Sequence, residues 1–168
     1  MRRATVFLVA FVISLLMFCA IVQAAEKFGF VDLSRIFSEY NKTKDYDKTL
    51  ADKESAYTTE RDKKVSDIKQ FQDKINLLNE KEKEAKKGDL EAKINTLKEF
   101  DRQKETDLRK EQDERMKEIL KDIEEAVKKY SEKEGYSLVF NDRVLVYEAK
   151  NLEITDKIIE ILNKGYKK

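Results

Sequence analysis

Asn79-Glu80-Lys81-Glu82-Lys83-Glu84-Ala85-Lys86-Lys87-Gly88-Asp89 contains one apolar residue, Ala85, and a single glycine. On both sides of it, apolar residues recur at steps of three and four. Val65, Ile68, Phe71, Ile75 and Leu78 precede it. Leu90, Ile94, Leu97 and Phe100 follow, and Met116, Ile119, Ile123, Val127 and Tyr130 resume the spacing. Such steps put one narrow apolar stripe on each of two helices, the seam of a coiled coil. The polar stretch between them is then the tip of a helical hairpin. Gly88 ends one helix and Asp89 caps the next.

Facing residues of an antiparallel pair keep a constant index sum. Leu78 with Leu90, Phe71 with Leu97 and Ile68 with Phe100 all share the sum 168. Ile75 with Ile94, Leu50 with Ile119 and Tyr46 with Ile123 share 169, so one centre near residue 84 pairs most of the seam. Arms of roughly 35–45 residues reach roughly 50–65 Å. The competing reading is one continuous helix in a parallel coiled coil. The stripe is thin, and polar stretches such as Thr58-Thr59-Glu60-Arg61 interrupt it, so the arms are expected to fray before the rest of the fold.

The zone 41–134 has 25 apolar residues in 94, whereas 135–168 has 16 in 34. A core therefore forms from the two ends of the chain, 25–40 and 135–168, and the hairpin leaves it. Lys27-Phe28-Gly29-Phe30-Val31 reads as a strand, and a helix follows from Leu33 with Asp32 or Ser34 as its cap. Tyr136-Ser137-Leu138-Val139-Phe140 and Val144-Leu145-Val146-Tyr147 read as two more strands joined by Asn141-Asp142-Arg143. Thr155 caps a last helix with Ile158, Ile161 and Leu162 on one face. The fold class is α+β. A small sheet apolar on both faces, in a body of about 75 residues, makes a marginal core on its own. Several copies burying their sheets together resolve this. Phe28, Phe30, Leu138, Phe140, Val144 and Val146 are the candidate assembly residues of that hub.

Composition narrows the function. The 168 residues include 35 Lys+Arg, 34 Asp+Glu, one Cys and no His, Pro or Trp. No zinc site of the usual kind, no Cys/His or Ser/His/Asp nucleophile and no internal disulfide can be assembled from this set. No cofactor is expected, and no enzyme. Met1-Arg2-Arg3, the apolar run Ala4 to Val22 and Val22-Gln23-Ala24 form a secretory signal with cleavage after Ala24. The alternative is an uncleaved membrane anchor. Phe18 before Cys19 argues against a lipobox, which needs a small residue there. Cleavage removes two Arg and the only Cys, leaving 33 bases against 34 acids and no thiol. A near-neutral chain without a basic stripe is not a nucleic-acid binder, and net charge gives no support to membrane contact.

The order of segments resembles a known family. A signal is followed by Phe28-Gly29-Phe30-Val31-Asp32-Leu33-Ser34-Arg35-Ile36-Phe37, then a charged hairpin, then Tyr136 to Phe140, Val144 to Tyr147 and Leu152-Glu153-Ile154-Thr155-Asp156-Lys157-Ile158-Ile159. Over the whole mature length this is similar to the Skp/OmpH family of periplasmic chaperones. The resemblance implies a jellyfish-shaped homotrimer, with a β-hub from three chains and three hairpins around a cavity. It implies a periplasmic, ATP-independent holdase for unfolded outer-membrane β-barrel proteins. Familiar members are basic, and this chain is nearly neutral, so no lipid-binding residues are carried over. Tyr46, Tyr57, Phe71, Phe100 and Met116 are the candidate client contacts, with seam packing as their alternative role. The second function considered is a coiled-coil spacer or scaffold of the envelope, anchored by an uncleaved N-terminal helix.

Overall fold

The computed structural model describes residues 26–167, so the signal segment and its cleavage site lie outside the described residues. Two strands and four α-helices follow in order: β1 (Lys27–Val31), α1 (Leu33–Glu39), α2 (Asn41–Asn76), α3 (Glu80–Glu134), β2 (Tyr136–Asn141) and α4 (Thr155–Gly165). Short 3₁₀ turns at Asp142–Val144 and Lys150–Leu152 lie between β2 and α4. Among the described residues no helix is long and apolar enough to cross a membrane.

The hairpin is present, and α2 packs along α3. Its turn falls at Leu77–Asn79, and Gly88 lies inside α3 rather than at the tip. The reason is the capping box formed by Asn79 and Glu82. The Asn79 side chain accepts from the Glu82 N–H at 3.0 Å, and the Asn79 N–H donates back to the Glu82 carboxylate at 3.4 Å. Two otherwise unpaired N–H groups are satisfied at once, which outweighs the roughly 1 kcal/mol that one helical glycine costs. Replacing Asn79 by Ala is expected to cost about 1 kcal/mol. Amide exchange should then accelerate around residues 79–83 and not at the arm root.

Moving the turn also moves the pairing. Phe100 lies against Tyr57 and Lys64 rather than Ile68. Phe71 meets Lys93 rather than Leu97, and Tyr46 lies under Arg115 rather than facing Ile123. The displacement is about one heptad. A stripe that repeats every seven residues matches itself almost as well after such a slip, so periodicity alone cannot choose between the two registers.

The two helices differ in length. α3 continues past the root of α2 into the body, where Ile119, Ile123 and Ala126 join Val31, Ile36, Tyr40, Ile154, Ile158 and Leu162 in the core. One helix thus belongs to both arm and body. It ends at Gly135, whose φ of 75° lies in the left-handed region that favours glycine.

The sheet differs from the sequence expectation. β1 and β2 are parallel, with Phe28 beside Leu138 and Phe30 beside Phe140. Val144 to Tyr147 does not form a third strand. The place beside β1 that a further strand could take is held by Glu153–Ile154, where the Ile154 N–H donates to the Phe30 carbonyl at 3.0 Å. The segment after β2 turns through the 3₁₀ helix instead of doubling back as a hairpin. The Thr155 side chain is also used differently. It opens α4, but its hydroxyl accepts from the Asp32 N–H at 2.9 Å, tying α4 to the start of α1. Asp32 itself caps α1, accepting from the Arg35 N–H at 2.8 Å.

Candidate functional site

The outer face of the sheet is the first candidate surface. Side chains alternate across a strand, so Val31 and Val139 point to the core while Phe28, Phe30, Leu138 and Phe140 share the opposite face. Gly29 lies on the inner side, where a Cβ would come within 2.9 Å of the Tyr136 ring. The segment 145–152 folds over the outer face and leaves a cavity of about 250 Å³ lined by Phe28, Phe30, Phe140, Leu145, Tyr147 and Leu152. Phe30 is only 3% exposed, so it belongs to its own chain's interior and offers no assembly surface. The other five expected hub residues are open. Leu138 is 52% exposed and Val146 is fully exposed at 106%, with Phe28, Phe140 and Val144 also accessible. Tyr147 extends this patch. Beside it, β2 has β1 as its only strand neighbour among the described residues, so one edge of its backbone is unpaired. An open edge next to exposed apolar side chains is a surface that invites pairing with another chain.

The second candidate surface is the arm. Tyr57 and Phe100 pack together with ring centroids 5.7 Å apart, and the Tyr57 hydroxyl donates to Asp101 at 3.1 Å. The Lys64 ammonium lies 4.8 Å from the Phe100 ring, and Lys93 lies 5.3 Å from Phe71. All three aromatic residues are half-buried, partly sealed by lysine stems. At the arm root, Tyr46, Leu50, Met116, Phe37 and Ile119 line a cavity of about 380 Å³, rimmed by Asp47, Glu111 and Arg115. Met116 is exposed at its mouth. The five expected client-contact residues therefore do not form one pocket. They are spread along the arm from its root outward.

The arm root also holds an ion cluster that leaves no local signal along the chain. Lys42 reaches across to α3, with its Nζ 2.6 Å from Asp122 and 2.7 Å from Glu118. The Tyr40 hydroxyl donates to the same Asp122 at 3.1 Å. Burial disfavours the Lys42 ammonium, but hydrogen bonds to Asp122 and Glu118 outweigh it and raise its pKa. Burial, then the Asp122 charge, push the Tyr40 hydroxyl up to about 12. The Lys42 ammonium, and then the Tyr46 hydroxyl, hold Glu118 below the ordinary value of 4.5.

A carboxyl depressed in the folded state stabilises it above the unfolded pKa. It loses that contribution as pH falls through the folded value. Wild-type stability is therefore expected to drop below about pH 4.5, and Glu118→Gln is expected to remove part of that drop. At neutral pH the loss should stay within about 1 kcal/mol, because Glu118 is partly exposed. Urea melts of both proteins at neutral and acid pH check this.

Among the described residues, no group of three or more His, Cys, Asp or Glu is placed to hold a metal ion. Several acids on the arm are paired with lysine or arginine along or across the helices, as with Lys53–Glu111 at 2.6 Å.

Comparison with known proteins gives two positive findings. The model of a family described as outer membrane protein (OmpH-like) matches residues 27–162. The crystal structure of a protein from Caulobacter crescentus, described as an OmpH-like outer membrane chaperone, superposes with a TM-score of 0.78 at 11% identity. The match covers 85% of this chain and 87% of that one. At that identity the likeness is one of fold. No curated protein sequence gives a match.

Proposed function

This chain belongs to the OmpH-like outer membrane protein family, and from that premise we propose that it is an exported holdase that acts without ATP. Its clients on this reading are unfolded outer-membrane β-barrel proteins in the periplasm. The observation that carries the reading is the arm: α2 is 36 residues long, roughly 54 Å, and its aromatic side chains stay half open along its length. A barrel strand alternates apolar and polar residues and aggregates while unpaired. Many weak, spaced contacts can hold such a chain through avidity without one tight pocket. Folding into the membrane removes the client, so release needs no nucleotide.

On the same reading the working form is a homotrimer. Phe28, Leu138, Phe140, Val144 and Val146 of each copy meet at the hub, and three arms surround the client. Tyr46, Tyr57, Phe71, Phe100 and Met116 are its contacts along the arm wall. The 25–40 and 135–168 segments, joined by the C-terminal end of α3 from Ile119 onward, make the assembly body, and the rest of 41–134 makes the arm, after a signal cleaved behind Ala24.

The test is light scattering after a denatured outer-membrane β-barrel protein is diluted into buffer with the chain and no nucleotide. The holdase reading expects scattering to vanish near one trimer per client. Unchanged aggregation at several-fold excess of verified oligomer would leave an envelope spacer as the better description.

A further inference from the structure

Asn41 opens α2 without help from its neighbours. Tyr40 before it is extended (φ −69°, ψ 124°) and makes no side-chain cap, and the first turn holds no acid. A helix of 36 residues thus begins with N–H groups that nothing local satisfies. The cap arrives from the other end of the chain. Asn163 Oδ1, in the last turn of α4, accepts from the Asn41 N–H at 2.8 Å. Its Nδ2 donates to the Glu39 carbonyl at 3.2 Å. One side-chain amide therefore spans the end of α1 and the start of α2, across the single non-helical residue between them.

Three residues further on, the Tyr166 ring packs edge-on against Tyr40, with centroids 5.9 Å apart. Its hydroxyl donates to Asp45 Oδ2 at 3.1 Å. The two arm helices leave the body differently. α3 runs unbroken from body to arm and can change direction only by bending along its length. α2 is joined through Tyr40 alone, one residue with two soft dihedrals. Tyr40 and Lys42 tie this joint to Asp122 on α3, the other arm helix. Asn163 and Tyr166 tie it to the body.

We propose that Asn163 and Tyr166 form a brace that caps α2 from α4 and fixes the angle at which the arm leaves the body. The brace acts on the arm whatever the arm carries, so it stands apart from the function proposed above. With the brace engaged the arm has one narrow range of angles. With it released, α2 frays at its root and the arm swings more widely.

The experiment uses the chain with Cys19→Ser, and spin labels on Asp62→Cys in the arm and Lys150→Cys in the body. Both labelled positions are exposed. Labelled protomers are diluted into unlabelled excess, and pulsed dipolar spectroscopy gives the distance distribution. In Asn163→Ala/Tyr166→Phe the width is expected to grow at least about twofold. Amide exchange at Asn41 to Asp45 is expected to rise about tenfold or more, with the amides of Ile36 and Ile158 unchanged. Lys164→Ala removes a contact internal to α4, to Glu160 at 3.1 Å, and is expected to leave both readouts as in wild type. A wild-type width and wild-type exchange in the double variant overturn the proposal. So does equal acceleration at Ile158, which would make Asn163 part of the general support of the body. Asn163→Ala alone, with Tyr166 intact, decides the matter by the same two readouts if the double variant loses its body fold.

Discussion

A chain carrying Val146→Asp is expected to run as a monomer at micromolar concentration, with an unchanged helical circular dichroism spectrum. Val146 is fully exposed in the isolated chain, so the substitution removes no packing from the protomer. Whatever the change costs, it costs at the proposed interface. Burying a valine side chain contributes about 1.5–3 kcal/mol, and burying an unpaired carboxylate costs several kcal/mol more. In the proposed trimer the penalty recurs in each copy, so association should weaken by roughly three or more powers of ten. Light-scattering mass measures it directly. If the proposed holdase works as an oligomer, aggregation suppression should fall in parallel. A persistent trimer would move the interface away from the outer face of the sheet.

The second large effect is expected at Ile158, which is 0% exposed at the centre of the body core. Ile158→Ala should cost about 2–5 kcal/mol, the lost burial plus the cavity left behind. A small body has little stability in reserve, and its thermal midpoint should fall by roughly 10–30 °C. Val65→Ala on the arm is the contrast. Val65 is partly exposed on the thin stripe of α2, so its loss should shift melting by only a few degrees. Thermal melts followed by circular dichroism distinguish the two. Equal shifts would mean that the arm shares the cooperativity of the body.

Much of this architecture can be read from residue spacing. The steps of three and four gave two arm helices, and the contrast between a polar middle and apolar ends gave a body with an excursion. Asp32 was readable as a cap because its local geometry is encoded within three residues. What could not be read has a common physical origin. The turn at Leu77–Asn79 depends on a capping box competing with a glycine, two small energies of similar size. The register is degenerate because a heptad stripe is self-similar.

The Val144 to Tyr147 run has strand composition, but the 3₁₀ turn at Asp142–Val144 carries it over the face of the sheet and not along the open edge of β2. Lys42, Asn163 and Tyr166 were missed because their partners lie some 80 to 120 positions away. Along the sequence they look like ordinary surface residues. The candidate client contacts were visible as aromatic residues on a polar arm, while their degree of exposure depended on which lysine stems cover them.

The parallel pairing of β1 with β2 has a consequence for how the molecule forms. Lys27–Val31 enters first during synthesis, and its partner Tyr136–Asn141 follows only after both arm helices. Bringing such distant segments together from a random chain carries a substantial loop-closure entropy and favours slow folding. The hairpin offers a shorter route, because helix turns form locally in well under a millisecond. Zipping of α2 against α3 then returns β2 to the neighbourhood of β1. The arms are thus expected to close before the sheet does, an order that pulsed hydrogen exchange would read as early protection in α2 and α3 and late protection in β1. Until that last step the apolar strands have no settled partner, and a newly made chain is for a moment in the same predicament as the proteins it is proposed to protect.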